Sequence, residues 1–333
     1  MFMSLQAIAK FLVAPDKGIL AADESTGTIA KRFDKYGIEL KEENRRAYRE
    51  LLFTAPEMEK YISGVILFDE TIRQSTGNGQ TFVDLLAEKN VVPGIKMDAG
   101  LEPFHDSQIE KVAKGLEGLD ERFKEYYQLG ARFSKFRAVF TITDSSPSVG
   151  CIKKNAEILA EYASISQSNN IVPIVEPEVL MDGDHDIHRC YEVTNQVLSR
   201  VFIELKAKGV QLDGMILKPN MVISGTDALE QAVAKQVAEL TVKCLKDTVP
   251  SEVAGVVFLS GGQSEELACE TLNEISKIAA DCPWPLSFSY GRALQASALS
   301  VWGGKPENVV KGQEAFINQA RKVSLARQGK LHR

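Results

Sequence analysis

The sequence predicts an α/β chain closed into a single (β/α)8 barrel, the TIM barrel, with extra helices at both ends. Three observations carry that prediction. Eight short apolar runs alternate with helical patterns along 333 residues, and strands alternating with helices pair in parallel through right-handed crossovers. No Pro/Ser-rich linker, low-complexity tract or shift of composition divides the chain. The first apolar run leads into no Gly-x-Gly-x-x-Gly turn, so a closed barrel fits better than an open dinucleotide-binding sheet. Residues 1–333 then form one barrel domain, with an N-terminal helical extension over about 1–17 and C-terminal helices over about 305–328.

Met1–Pro15 reads as a helix, because Lys10 precedes only a short apolar patch and no clear cleavage site follows. Gly18–Asp23 is the first strand, an apolar run ending on a carboxylate. A helix pattern then stops at Gly37, and an amphipathic helix covers about Glu42–Thr54. Ser63–Asp69 is the second strand, again ending acidic. A short helix near Phe82–Glu88 leads to the third, Val91–Asp98, which contains Lys96. Two helical segments are expected between it and the cap signal at Gly130. Ala131–Phe140 is the fourth strand, followed by a helix over about Cys151–Ser168. Ile171–Glu178 is the fifth, followed by a long helix over Asp186–Lys208 that ends at Gly209. Gly214–Lys218, stopped at once by Pro219, is the sixth, with a helix over about Asp227–Leu245 behind it. Ala254–Ser260 and Trp284–Tyr290 complete the eight, and each runs into a glycine turn and a helix.

A formal charge of −6 provides no electrostatic footprint for nucleic acid or an anionic membrane. No apolar run approaches the ~20 residues a spanning helix needs. Five dispersed cysteines, without a Cys-x-x-Cys pair, suggest reduced thiols and a cytoplasmic location.

A buried strand should be apolar throughout, and Lys218 breaks that rule at the end of the sixth. A lysine there either snorkels into solvent, is paired, or sheds its proton. An uncharged amine in an enclosed site condenses with a ketone to form a Schiff base. The rest of the chain favours chemistry. Asp23, Lys96, Lys135, Arg137, Glu176, Glu178 and Ser260 also stand at or near strand ends, where barrels carry their catalytic groups. Strand side chains alternate faces, so Lys135 points with Arg137, and Glu176 with Glu178. A structural ion-pair network is the competing account, but so many charges in apolar runs cost several kcal/mol each unless function retains them.

Two elements suit phosphate. Ser260-Gly261-Gly262 precedes a helix opened by Ser264, and Tyr290-Gly291-Arg292 precedes another. Glycine lets backbone amides approach an anion, and the helix N-terminus adds its dipole. Asp182, Asp184, His185, Asp186 and His188 have the composition of a metal site but no zinc spacing, and helix capping accounts for them better. With only His105 and His332 besides, a histidine-rich metal site is not expected.

These motifs together resemble the class I fructose-bisphosphate aldolases. The matching segments are Gly18–Gly27, Gly94–Asp98, Phe133–Arg137, Val175–Glu178, Leu217–Met221, Leu259–Ser264 and Ser289–Arg292. The likeness runs from about Gly18 to Gly329. It implies Lys218 as the Schiff-base lysine, Asp23 as acceptor of the C4 hydroxyl proton, and Lys135 beside the reacting carbons. It implies Glu176 as the acid/base of carbinolamine chemistry, Glu178 as its partner, and Arg137 in the same set. Ser260, Gly261, Gly262, Gly291 and Arg292 would hold the ketone-side phosphate, and Ser25, Thr28 and Lys96 the far one. The resemblance further implies a homotetramer that needs neither metal nor other cofactor, acting on a sugar bisphosphate. Lys135 and Lys96 are expected to lower the pKa of Lys218. Animal-type relatives close on a tyrosine tail, whereas this sequence ends Lys330-Leu-His-Arg333, so enamine protonation is expected to be slow or to use another donor. A pyridoxal-phosphate barrel enzyme would use a similar lysine and phosphate cup, but it would be yellow. A non-catalytic scaffold would tolerate Lys218→Ala.

Overall fold

Eight parallel strands close on themselves into a barrel. The structure, a computed structural model, describes residues 4–331. The strands are β1 Gly18–Ala22, β2 Ile62–Leu67, β3 Val92–Lys96, β4 Leu101–Pro103, β5 Lys111–Ala113, β6 Phe133–Phe140, β7 Val172–Val179, β8 Ile216–Leu217, β9 Val256–Phe258 and β10 Leu286–Tyr290. All except β4 and β5 are barrel staves, in the closed order β1-β10-β9-β8-β7-β6-β3-β2. The helices in chain order are α1 Leu5–Leu12, α2 Thr26–Asp34, α3 Glu42–Phe53, α4 Asp69–Ile72, α5 Phe82–Glu88 and α6 Leu119–Gln128. They continue as α7 Val149–Ser168, α8 Ile187–Ala207, α9 Ala234–Thr248, α10 Glu265–Ile278, α11 Arg292–Trp302 and α12 Val309–Arg327.

Alternation along the strands separates two cores. Inward residues Ile19, Ile66, Phe133, Val172, Ile174, Ile216 and Val257 fill the lower barrel, together with Ile8, Ala9 and Leu12 of α1. The N-terminal helix is therefore a stopper in the closed end. Glycine makes room for this packing: a Cβ on Gly94 would run into the Phe133 ring, and one on Gly64 would lie 2.6 Å from Leu12 Cδ2. Outward residues pack under the helices. Ser134 and Phe136 of β6 face α7, where Tyr162 Oη lies 2.6 Å from Ser134 Oγ and the Tyr162 ring stands 4.9 Å from that of Phe136.

Two expectations need correction. The first of the two helices expected before Gly130 is instead the antiparallel hairpin β4–β5. Pro103 withholds a helical donor, Phe104 N–H closes the loop on Glu110 C=O at 2.9 Å, and Ala113 N–H donates to Asn155 Oδ1 of α7 at 3.0 Å. Second, the helix expected from Asp227 begins at Ala234. The N–H groups of Gly225, Thr226 and Asp227 donate to the carbonyls of His185, Met181 and Gly183, at 2.8–2.9 Å, which ties this segment to the loop between β7 and α8 ahead of the helix. Met1–Met3, His332 and Arg333, which enter the readings of the two termini, lie outside the described residues.

Candidate active site

At the mouth the barrel interior changes from apolar to charged. Register explains how. Lys96 of β3 pairs with Lys135 of β6, and Arg137 of β6 with Glu176 of β7. Lys218 follows β8 directly; its N–H continues the ladder to Val175 C=O at 2.8 Å, while Leu259 N–H reaches Pro219 C=O at 3.1 Å. Proline ends the strand without leaving a donor unpaired. All the residues singled out above as catalytic or phosphate-binding line one cavity of about 920 Å³.

Lys218 is buried, with Nζ 3.1 Å from Glu176 Oε1. Lys135 is also buried and stands 2.9 Å from Asp23 Oδ2, 3.2 Å from Asp98 Oδ2 and 3.4 Å from Glu176 Oε2. Burial alone would strip the proton from Lys135, but Asp23, Asp98 and Glu176 outweigh it and raise its pKa well above the ordinary lysine value. Burial would likewise lift the Asp23 carboxyl, yet Lys135, Lys218 and Lys96 hold it far below the usual carboxylate range. Asp98 is lowered too, with Lys135 and Lys96 overcoming its burial. The resting mouth therefore holds a fixed ammonium ringed by ionised carboxylates. Glu176 Oε2, though near Lys135, is buried and accepts no hydrogen bond, leaving an acceptor free for a ligand.

Glu178 forms an ion pair with Arg137. Burial opposes the Arg137 charge, but Glu178 raises its pKa further. Lys96, expected to act on Lys218, is engaged by Asp98, through its carboxylate at 2.8 Å and its carbonyl at 2.7 Å.

The phosphate-ready parts lie around the rim. Ser25 caps α2, with Thr28 N–H 3.4 Å from Ser25 Oγ and the two hydroxyls 3.1 Å apart. Across the cavity, Gly261 and Gly262 take φ of +50° and +77°, which glycine adopts without strain. Arg292 opens α11 directly after Gly291.

Several lining residues were missed by the sequence reading. Asp98 stands inside a quoted motif but had no role. Lys31 and Arg32 follow Thr28 on α2, Lys35 stands at its C-cap, and all three line the same cavity; their helical spacing behind Ser25 was the available signal. Arg32 pairs with the buried Glu24, which also holds Arg49 at 2.5 Å. Ser289 Oγ is buried without a partner. Among the acidic and histidine residues of 182–188, Asp186 caps α8, with Arg189 N–H 2.7 Å from its Oδ1. No cluster of three or more potential metal ligands occurs among the described residues.

Comparison with known proteins gives concordant results. The family model described as fructose-bisphosphate aldolase class-I matches residues 4–333. A probable fructose-bisphosphate aldolase class 1 of Xanthomonas campestris is 53% identical over 98% of both chains. The cytosolic fructose-bisphosphate aldolase 4 of Arabidopsis thaliana is 51% identical over 98% of this chain and 83% of its own. Among solved structures, the Plasmodium falciparum fructose-bisphosphate aldolase, crystallised with TRAP and a small-molecule inhibitor, superposes with a TM-score of 0.97. It is 50% identical and covers 99% of this chain, which covers 95% of it.

Proposed function

The chain belongs to the class I fructose-bisphosphate aldolases, and from that premise we propose how its own residues divide the work of cleaving fructose 1,6-bisphosphate into dihydroxyacetone phosphate and glyceraldehyde 3-phosphate. The observation that carries the assignment is the buried Lys218 Nζ set 3.1 Å from Glu176 Oε1. Glu176 takes a proton from Lys218, whose amine adds to the C2 ketone. Glu176 returns that proton to the carbinolamine oxygen, takes a second from the nitrogen and passes it to the resulting hydroxyl, which departs as water while the iminium forms. Asp23 accepts the C4 hydroxyl proton, the C3–C4 bond breaks, and its electron pair enters the iminium to give an enamine. The aldehyde departs; protonation at C3 and hydrolysis release the second product and the free lysine. Lys135 keeps Asp23 ionised and presents positive charge to the reacting oxygens. Arg137 and Glu178 brace one wall.

Ser260, Gly261, Gly262, Gly291 and Arg292 hold the ketone-side phosphate, and Ser25, Thr28 and Lys96 the far one. Positive φ at both glycines turns their amides into an anion nest, and α2 directs its N-terminus at the far site. The whole chain works as one barrel domain, assembled as a homotetramer in the cytoplasm. Free cysteines and a cytosolic plant relative support the location, and no helix among the described residues is long and apolar enough to cross a membrane. Apolar side chains exposed on the helices, such as Ile203 and Val149, are available for subunit contacts. Light scattering should return four times the 36.7 kDa chain mass.

The decisive experiment is borohydride reduction in the presence of dihydroxyacetone phosphate, followed by peptide mass mapping. The adduct mass is expected on Lys218. Its appearance on another lysine, or on none, overturns the assignment.

A further inference from the structure

We propose that Met181, which belongs to no catalytic strand end, is a positioning residue that sets the shape of the ketone-side phosphate cradle. The proposal rests on the reading of Gly261, Gly262 and Arg292 given above.

Met181 lies in the loop between β7 and α8, partly exposed. Its backbone is tied to a neighbouring loop. Leu180 N–H donates to Phe140 C=O at 2.9 Å, and Thr226 N–H to Met181 C=O at 2.8 Å. The adjoining bonds from Asp227 to Gly183 and from Gly225 to His185 fasten this loop to the one after β8. So anchored, the side chain crosses to the next loop again, the one after β9. There its Sδ and Cε fill the space that a Cβ on Gly262 would take. That same point is 3.3 Å from Arg292 Nη2. The thioether therefore packs on the turn of the nest and beside the guanidinium.

Two consequences follow from chemistry. First, Gly262 must be glycine for two reasons at once, its φ of +77° and the thioether that occupies its open side. Second, the distance between the Gly261–Gly262 amides and the Arg292 fork is fixed from outside by a side chain that carries no charge and touches no phosphate. An unbranched thioether fills such an irregular gap well. Cutting it back to a methyl leaves the turn and the arginine free to move and lets water between them, so the preorganised part of phosphate binding is lost. Bond cleavage, at the far end of the three-carbon unit, is spared.

The test is steady-state kinetics with fructose 1,6-bisphosphate together with the inhibition constant for dihydroxyacetone phosphate, on Met181→Ala, Met181→Leu and Arg292→Ala. Met181→Ala should raise KM and the inhibition constant by about fivefold in parallel, with kcat within about twofold of the parent, and Met181→Leu should restore both. Unchanged binding in Met181→Ala, while Arg292→Ala weakens it, overturns the role of Met181 and leaves the phosphate site standing. A fall of kcat with KM unchanged, or equal loss in Ala and Leu variants with a lowered melting temperature, overturns it as well. If Arg292→Ala itself binds dihydroxyacetone phosphate normally, the phosphate-site reading fails first.

Discussion

Lys135 touches three carboxylates, Asp23, Asp98 and Glu176, within 3.4 Å, and this one ammonium governs how the mouth responds to pH. Asp23 and Asp98 have folded-state pKa values below their unfolded ones. Their contribution to stability is therefore present above the ordinary carboxylate range and is lost as pH falls through the lowered values. Lys135→Met removes the main cause of the lowering and leaves Asp23 without its ion-pair partner, while Asp98 keeps Lys96 and Glu176 keeps Lys218. We expect its acid-unfolding midpoint, followed by circular dichroism, to move to higher pH than the parent's, and its kcat to fall about 10³-fold. Glu176→Gln keeps the shape but cannot shuttle protons. It should lower kcat by about 10²–10⁴-fold with little change in KM, and stopped-flow borohydride trapping should show slower Schiff-base formation. These two residues were legible in the sequence because a charge inside an apolar run has no cheap explanation. Asp98 was not. It lies beyond Lys96 at a strand end, as Asp69 lies beyond Leu67, and Asp69 proved to open α4 and pair with Arg73. Only the neighbours in space separate the two aspartates.

Among the elements, β8 is the shortest barrel stave, two residues long, yet Lys218 follows it directly. What it lacks in ladder bonds is supplied by Asn220, a buried side chain two residues on. Its Oδ1 accepts from Val179 N–H at 3.0 Å, and its Nδ2 donates to Thr194 Oγ1 of α8 at 3.2 Å. Asn220→Leu strands both groups. It should cost about 1–3 kcal/mol in urea denaturation and reduce kcat by loosening the lysine's support. The strands were readable because continuous burial on both faces leaves runs such as Gly18–Ala22. The β4–β5 hairpin was not, since residues 101–113 alternate weakly and acquire their form from Asn155 on a helix 42 residues away from Ala113. The late start of α9 was hidden for the same reason: its flanking amides are bonded to a different loop.

At the scale of the whole molecule, the closed end is held by Arg327 near the end of α12. Its guanidinium donates to the carbonyls of Val13 at 2.7 Å and Leu286 at 3.0 Å, and also to those of Ala14 and Lys17. Burial lowers its pKa to about 10, a residual cost that the carbonyls offset. Arg327→Met should leave those oxygens unsatisfied and lower stability by roughly 3 kcal/mol or more, measured by chemical denaturation, with the kcat of the remaining folded enzyme near the parent's. No spacing in the sequence announces this contact, because an arginine on a helix is ordinarily a solvated one.

Barrel closure itself joins β1 to β10, the earliest stave to the latest. During synthesis, β1 has a neighbour on one side as soon as β2 leaves the ribosome, but its other flank stays open until Leu286–Tyr290 emerges. Over that interval the nascent chain offers a bare apolar edge to whatever lies nearby, so a holding chaperone should engage it most strongly just before the final stave appears.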